Sequence, residues 1–343
     1  MLSFTHPSQI STSQNLTDQS HHGIRSFQSE YPLPATLGAP DVYVELVDAA
    51  DVLVRACGIA CEHQSGRIVT GAAAELSADP GVRSYFELLE RAAVLDFTQS
   101  SADEEPTATG AQRFAVSNGV AVALDAQGAR FRALAELVER DRVLRSFYGE
   151  LAPERLRLDP HRILPGPVAR HYELEAYRFP ATRTCATTAG QFAAPLEVAA
   201  IFGFPVRPGA PLLFGFGARL NLADALAAAV RESLHQLAFG WGEPVPDVAP
   251  APSPTPEFHL DYFAYPPHRA RLRRWLAGEH LGRGPELPAR SAEPRYLDIT
   301  PNHLQGKLAV VKCVHDGALP LAFGEGHPLL EALPDSMRVH PIA

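Results

Sequence analysis

The chain has 343 residues, 46% hydrophobic and 20% charged, so it can bury a full core as two domains or one large compound domain. Thirty Lys and Arg against 39 Asp and Glu give a net charge of −9, which argues against the broad basic face of a nucleic-acid-binding protein. No apolar, uncharged window reaches the ~18 residues of a membrane span, and the first residues lack the features of a secretory signal. We therefore expect a cytoplasmic protein that binds neither membranes nor nucleic acid.

Residues 1–36 are rich in Ser, Thr, Gln and His and poor in aliphatic side chains, which predicts a flexible polar arm. The remainder, 37–343, is predicted to be one domain of mixed α/β (α+β) class, because strand and helix patterns alternate along it. Period-two alternation and β-branched content predict strands within 41–56, 113–125, 171–179, 295–299 and 308–314. Helical spacing predicts helices over 82–94, 127–148 and 222–239. Six prolines within 243–257 predict an internal surface loop.

The pattern Glu-Leu-x-Glu-Arg occurs twice, at 87–91 and at 136–140, each time inside a predicted helix. On a helix, side chains at positions i and i+3 project from neighbouring points of one face, and the arginine at i+4 lies above the first carboxylate. If the two helices faced each other, four carboxylates would converge and would need a divalent cation to neutralise them. Hard oxygen ligands of this kind suit Mg²⁺ that also bridges substrate phosphates, which arginine can contact in a bidentate way.

The same pattern is also typical of a solvated helix face, because glutamate and arginine at this spacing form weak ion pairs worth a few tenths of a kcal/mol. Glutamate, leucine and arginine are good helix formers and recur together by composition alone. The pattern by itself therefore leaves a binding site and a solvated face open.

The sequence around the two patterns resembles the YcaO superfamily, specifically its peptide-modifying branch. The resemblance rests first on Ser84-x-x-Glu87-x-x-Glu90-Arg91 and on Ser117-Asn118-Gly119 followed by Glu136-Leu-Val-Glu139-Arg140-Asp141. Weaker matches follow at Gly215-Phe-Gly217 with the helix to Glu232, at 297–300, at 308–312, and at Phe323-Gly324-Glu-Gly326-His-Pro328. The likeness spans roughly residues 50–343 and implies a YcaO-like ATP-binding fold with mixed sheets flanked by helices.

The resemblance implies an ATP- and Mg²⁺-dependent peptide cyclodehydratase. In that family a Cys, Ser or Thr side chain of a ribosomally made precursor adds to the preceding carbonyl, ATP phosphorylates the oxyanion, and loss of phosphate leaves an azoline. Carried over by position, Glu87, Glu90, Glu136 and Glu139 would hold Mg²⁺ and ATP. Arg140 would contact phosphate, and Ser84 would line the nucleotide pocket. Related enzymes use external nucleophiles to make thioamides or amidines, and these products stay open.

Several positions depart from the family pattern. Thr70-Gly71-Ala72-Ala73 lacks the lysine of the usual Gly-Lys-Gly-like turn, and Leu124 and Gly128 stand where an Asn and a Glu usually join the nucleotide site. The glutamine expected three residues after Glu232 is His235. These changes keep open a second hypothesis, a catalytically degenerate scaffold or regulatory subunit that retains the fold.

The expected partners also follow from the resemblance. The substrate is a precursor peptide, and because no segment resembles a leader-binding domain, a separate protein is expected to deliver it. A flavin dehydrogenase in the same complex and a homodimer are left open.

Overall fold

The computed structural model describes residues 21, 23–102, 118–181, 196–207, 209–279, 287, 293–315, 317–323 and 328–342. Residues 1–20 of the predicted arm, and Ser117, Gly324 and Gly326 of the motifs above, lie outside this description.

Within the described residues, ten strands and nine α-helices are labelled in chain order, in addition to the helical segment 23–30. The strands are β1 (Asp41–Ala49), β2 (Val52–Glu62), β3 (Ile68–Glu75), β4 (Val120–Ala123), β5 (Glu154–Leu156), β6 (Tyr172–Phe179), β7 (Glu197–Pro205), β8 (Leu213–Arg219), β9 (Arg295–Asp298) and β10 (Ala309–Val314). The α-helices are α1 (Gly81–Ala102), α2 (Ala126–Phe147), α3 (Pro160–Ile163), α4 (Gly166–Ala169), α5 (Leu222–Gly240), α6 (Pro256–Ala264), α7 (Arg269–Leu276), α8 (Pro328–Glu331) and α9 (Asp335–Arg338). The predicted mixed α/β class is confirmed.

The strands form three antiparallel sheets, each associated with one long helix. The sheet orders are β1-β2-β3, β4-β10-β9 and β5-β6-β7-β8. Helix α1 packs on β2 and β3 and reaches β4, α2 packs on β4 and β10 and reaches β8, and α5 packs on β7 and β8 and reaches β2 and β3. Because each helix covers its own sheet and touches the next one, the three long helices lie around a common centre.

The three long helices agree closely with the sequence prediction, although α1 continues beyond the expected end at residue 94. The region 41–56 is not one strand, because Ala50 and Asp51 adopt positive φ values of 50° and 63° and turn the chain into a hairpin. The Pro-rich segment 243–255 has no helix or strand, and the last two residues of the predicted loop 243–257 begin α6. Within the described part of the chain, no helix is long and apolar enough to cross a lipid bilayer.

The described part of the predicted arm, 23–36, differs from the expected loose segment. Residues 23–30 are helical, and Ile24 and Tyr31 are buried in the core beside β2 and α1. The Tyr85 hydroxyl donates a hydrogen bond to the Tyr31 carbonyl. Average composition predicted an arm, but Ile24, Phe27 and Tyr31 recur at helical spacing and give this short segment one apolar face.

Asp141, in the Glu-Arg-Asp motif, makes contacts that stabilise the fold. Its carboxylate is fully buried, accepts hydrogen bonds from Arg145 Nε at 2.9 and 3.2 Å, and accepts another from the Leu319 backbone N–H at 2.7 Å. The Arg145 guanidinium also donates a hydrogen bond to the Gly317 carbonyl. The motif therefore ties the end of α2 to the loop after β10.

We expect Asp141→Asn to lower the free energy of unfolding by about 2–3 kcal/mol, because the neutral amide removes the buried charge that faces Arg145 Nε, and the ion pair of Arg145 with Glu150 is less buried. Urea denaturation measures this loss. Asp247→Asn, at an exposed position in the Pro-rich loop, is the control and should leave the midpoint unchanged. A wild-type midpoint for Asp141→Asn would contradict the structural assignment.

Candidate functional site

Each of the three long helices carries a glutamate whose carboxylate accepts a hydrogen bond from the backbone N–H of a strand. The pairs are Ala72 N to Glu87 Oε2 at 2.9 Å, Val120 N to Glu136 Oε2 at 3.0 Å, and Phe216 N to Glu232 Oε2 at 2.5 Å. The donor precedes its glutamate by 15, 16 and 16 residues. The same strand–helix contact is thus built three times, once for each sheet.

A glycine directly precedes each of these donor residues in the chain, at positions 71, 119 and 215. A Cβ on Gly71 would overlap the Ser84 carbonyl oxygen of α1, and a Cβ on Gly215 would overlap the Ala229 carbonyl oxygen of α5. The helix backbones therefore press directly on the strands, which brings the glutamates within reach of the strand N–H groups. Glycines just before a helix are typical of a strand-to-helix turn, but Gly215 and Gly217 both lie inside β8.

Two of the three glutamates are also held by an arginine one turn later. Arg91 pairs with Glu87 at 2.6 Å and Arg140 pairs with Glu136 at 2.8 Å. In α5 the corresponding position is Gln236, whose side-chain oxygen accepts a hydrogen bond from the Phe214 N–H at 2.6 Å. The solvated-face alternative fits Arg91, which is exposed, better than it fits Arg140, whose side chain is only 19% exposed.

The second glutamate of each pattern interacts with a carboxylate from a different helix. Burial, together with the charge of Glu136, raises the pKa of Glu90 to about 8. Burial, together with the charge of Glu232, raises the pKa of Glu139 to about 8. The two predicted acidic turns therefore lie close enough together to repel each other, and α5 adds a third source of negative charge.

The first glutamates belong to the same cluster. Burial raises the pKa of Glu136, against the opposing charge of Arg140. Burial also raises the pKa of Glu232 to about 7, although its side chain keeps access to solvent, and the Phe216 N–H opposes this increase. We call the five residues Glu87, Glu90, Glu136, Glu139 and Glu232 the acidic centre.

The acidic centre has the chemistry of a Mg²⁺ site, because it offers carboxylate oxygens whose mutual repulsion a divalent cation would remove. Within the described residues, no three His, Cys, Asp or Glu side chains already converge on one metal position. Mg²⁺ usually keeps several waters and is held by one or two carboxylates together with substrate phosphates. The residues present therefore fit a magnesium–phosphate ligand better than a bare metal ion.

The raised pKa values predict how the stability of the metal-free protein depends on pH. A carboxyl group whose pKa rises from about 4.5 to about 8 on folding favours the folded state when protonated, so its contribution is lost as pH rises through that range. We expect the denaturation midpoint in a metal chelator to fall between pH 6.5 and 8, a window that starts at the ordinary histidine pKa of 6.5, above which the lowered pKa values of the buried His259 and His340 no longer change the stability. Glu139→Gln should reduce this fall, whereas exposed Glu257→Gln should not; equal pH profiles for all three proteins would contradict the prediction.

The structure gives Ser84 a packing position. Its side chain is fully buried, and its hydroxyl donates a hydrogen bond to the Cys57 carbonyl at 3.0 Å while lying 3.1 Å from the Pro80 carbonyl. These contacts join the first turn of α1 to β2. A contact between Ser84 and a nucleotide stays a prediction.

Glu232 is a functional candidate that the sequence motifs include but do not assign to the site. The signal that could have identified it is the repeated spacing, since a glycine in a strand is followed in each unit by a helical glutamate. At the start of α2, Leu124 is 63% exposed and the Gly128 N–H donates to the capping residue Asp125. These two positions offer no side-chain ligand.

Comparisons with known proteins identify the family. The family described as YcaO cyclodehydratase, ATP- and Mg²⁺-binding, matches residues 93–295. No sequence among the curated proteins matches this chain. Among solved structures, YcaO from Methanopyrus kandleri bound with AMPPCP and Mg²⁺ is similar over 87% of this chain and 91% of that one, at 15% identity and a TM-score of 0.56. This likeness shows a shared fold.

Two more distant structures also match. One is a chain of the E. coli microcin synthetase McbBCD complex, at 9% identity over 83% of this chain and 89% of that one, with a TM-score of 0.47. The other is a heterocyclase in complex with substrate and cofactor, at 18% identity over 66% of this chain and 32% of that one, with a TM-score of 0.41. The family match covers more than half of the sequence, and the family is described as binding ATP and Mg²⁺. This chain belongs to the YcaO family.

Proposed function

We propose that this protein is an ATP- and Mg²⁺-dependent enzyme that activates backbone amides of a ribosomally made precursor peptide and forms azolines from its Cys, Ser or Thr residues. The observation that carries the proposal is the acidic centre, in which glutamates from three helices on three sheets lie near enough to raise one another's pKa values. Keeping these carboxylates together opposes folding, so a cationic ligand is the simplest reason for their arrangement.

In this proposal Glu87, Glu90, Glu136 and Glu139, with Glu232 added from α5, hold Mg²⁺ and the phosphates of ATP. Bound Mg²⁺ would offset negative charge on the phosphoryl group during transfer. The strand N–H groups keep Glu87 and Glu136 in place, because each carboxylate has one oxygen fixed by the backbone and the other by an arginine. The site is thereby preorganised on rigid elements.

Arg140 is proposed to contact phosphate. Its charge opposes the increase in the pKa values of four members of the acidic centre, Glu90, Glu136, Glu139 and Glu232. The guanidinium therefore lies within electrostatic reach of all four. An arginine offers several donors in one plane and suits phosphate oxygens. Arg91, which is exposed and donates to Thr70, is a weaker candidate for this role.

A second candidate function is a scaffold or regulatory subunit that binds peptide or partner protein without turnover. The observation that favours it is the start of α2, where the exposed Leu124 and the half-buried Gly128 supply no ligand. Formation of a thioamide or an amidine is a further alternative, since it needs the same activation of an amide by ATP.

The test combines the purified chain with its precursor peptide, a separate leader-binding partner, ATP and Mg²⁺. The proposal predicts phosphate release that depends on the peptide, together with loss of one water mass for each heterocycle in the mass spectrum of the peptide. Peptide binding with neither phosphate release nor a change of mass would instead establish the scaffold. Phosphate release with incorporation of sulfur or an amine would establish the thioamide or amidine alternative.

A further inference from the structure

The sheet β4-β10-β9 carries a lysine at a position where burying its charge is unfavourable. Lys312 lies in β10, the central strand of its sheet, and its neighbours along the strand are Val311 and the buried Cys313. Burial lowers the pKa of Lys312 to about 8. The chain contains only two lysines against 28 arginines, and the other one, Lys307, is exposed and donates to the Glu30 carbonyl.

The strand register places Lys312 beside the acidic centre. Lys312 pairs directly with Val120 of β4, whose backbone N–H holds Glu136 at 3.0 Å. Lys312 lies on the same face of its sheet as Val310, and Val310 packs in one core cluster with residues of α1. Glu136 belongs to the other helix, α2. The charge of Glu136 is the strongest interaction that favours the protonated lysine, and Arg140 opposes it.

The charges of the acidic centre leave a role for this lysine. Arg91 and Arg140 each pair with a glutamate of their own helix, so part of their charge is already compensated. A nucleoside triphosphate brings several further negative charges, and an ammonium group from a third element would contact them as a compact point charge. The alternative is that Lys312 only neutralises the charge of Glu136. In that case the loss of Lys312 would affect the binding of all nucleotides equally.

We propose that Lys312 is a phosphate-binding residue of this site, contacting the phosphate chain of the Mg²⁺–ATP that the acidic centre holds. The inference rests on the proposed nucleotide function and adds a residue from a strand to a site otherwise built from helices. It also explains why a sequence with almost no lysine keeps one in the middle of a sheet.

The scarcity of lysine gives a direct test. The probe is ATP with an acyl group on its γ-phosphate: a lysine amine near the phosphates attacks the acyl carbon, a C–N bond forms, the C–O bond to phosphate breaks, and ATP is released. With Mg²⁺ present, peptide mapping should show Lys312 acylated at least ~10-fold faster than Lys307 because of proximity, and excess ATP should protect Lys312 alone. Acetyl phosphate, which lacks the nucleoside, controls for intrinsic reactivity and, in the absence of ATP, should show no such preference for Lys312 over Lys307.

Binding of unmodified nucleotides supplies the second readout. Lys312→Ala should weaken Mg²⁺–ATP binding about 10-fold and leave AMP binding unchanged, and Lys312→Arg should restore most of the loss. Lys307→Ala is the matched control and should bind both nucleotides as wild type does. If Lys312→Ala does not fold, the probe on the wild-type protein still decides.

The two proposals can fail separately. A wild-type protein that binds no Mg²⁺–ATP overturns the nucleotide function and this inference with it. A wild-type protein that binds Mg²⁺–ATP, but leaves Lys312 unlabelled and shows equal ATP affinity in Lys312→Ala, overturns only the role of Lys312.

Discussion

Glu139→Gln is expected to lower the affinity for Mg²⁺–AMPPCP by at least ~100-fold and to abolish ATP-dependent phosphate release, because the amide carries no charge to offset the metal. Glu139 is the most informative position, since its carboxylate interacts with Glu232 and Glu136 from two other points of the acidic centre. Calorimetric titration of the variant with AMPPCP and Mg²⁺ measures the loss directly and does not need a peptide substrate.

The variant should remain folded, and in a metal chelator it should be at least as stable as wild type at pH 8, because one repelling charge has been removed. This combination separates a binding role from a structural one. Glu87→Gln tests the same site but also weakens the contacts with Ala72 and Arg91, so its effect mixes binding with stability. Exposed Glu257→Gln is the matched control. Wild-type affinity in Glu139→Gln would remove this residue from the site.

Gly71→Ala is expected to lower the free energy of unfolding strongly and to reduce the yield of folded protein. The new Cβ would overlap the Ser84 carbonyl oxygen and lie 2.6 Å from the Leu88 backbone nitrogen, and both belong to the backbone of α1. A backbone cannot rotate away as a side chain can, so the whole helix must move off β3, at a cost of about 3 kcal/mol or more. A domain is usually stable by only about 5–15 kcal/mol, so a large part of the stability is lost.

The neighbouring strand supplies the control for this change. Gly58 lies in β2 with no positive φ, and a Cβ there would meet nothing within 4 Å. Gly58→Ala should therefore leave the denaturation midpoint unchanged or raise it slightly. Soluble yield, circular dichroism and urea denaturation of the two variants measure the contrast. Equal stability of Gly71→Ala and Gly58→Ala would show that α1 does not press on β3.

The shift of α1 also has a functional consequence. If Gly71→Ala folds partly, Glu87 should no longer reach the Ala72 N–H, because the helix carries this glutamate away from the strand. The same argument holds for Gly215 and Glu232 in the third unit, where a Cβ would lie 2.7 Å from the Ser233 nitrogen. The glycines therefore contribute to the site through backbone distance alone.

The amino-acid sequence determined the local features of this protein. The three long helices follow from apolar residues at helical spacing, and the i, i+3 spacing alone places Glu87 beside Glu90 and Glu136 beside Glu139. The family pattern was also readable from short motifs, because their order and spacing survive at low identity. Each of these features depends on residues close together in the chain.

Contacts between distant segments were decided only by the tertiary structure. The meeting of α1, α2 and α5, the electrostatic interaction of Glu232 and Lys312 with glutamates of α2, and the burial of Ser84 depend on which strands pair and which sheet each helix covers. No local period encodes those choices. The glycines of β3 and β8 resemble turn residues in the sequence, and their role in close helix packing is visible only when the helix backbone lies against them, because an absent side chain matters only through the neighbour that takes its space.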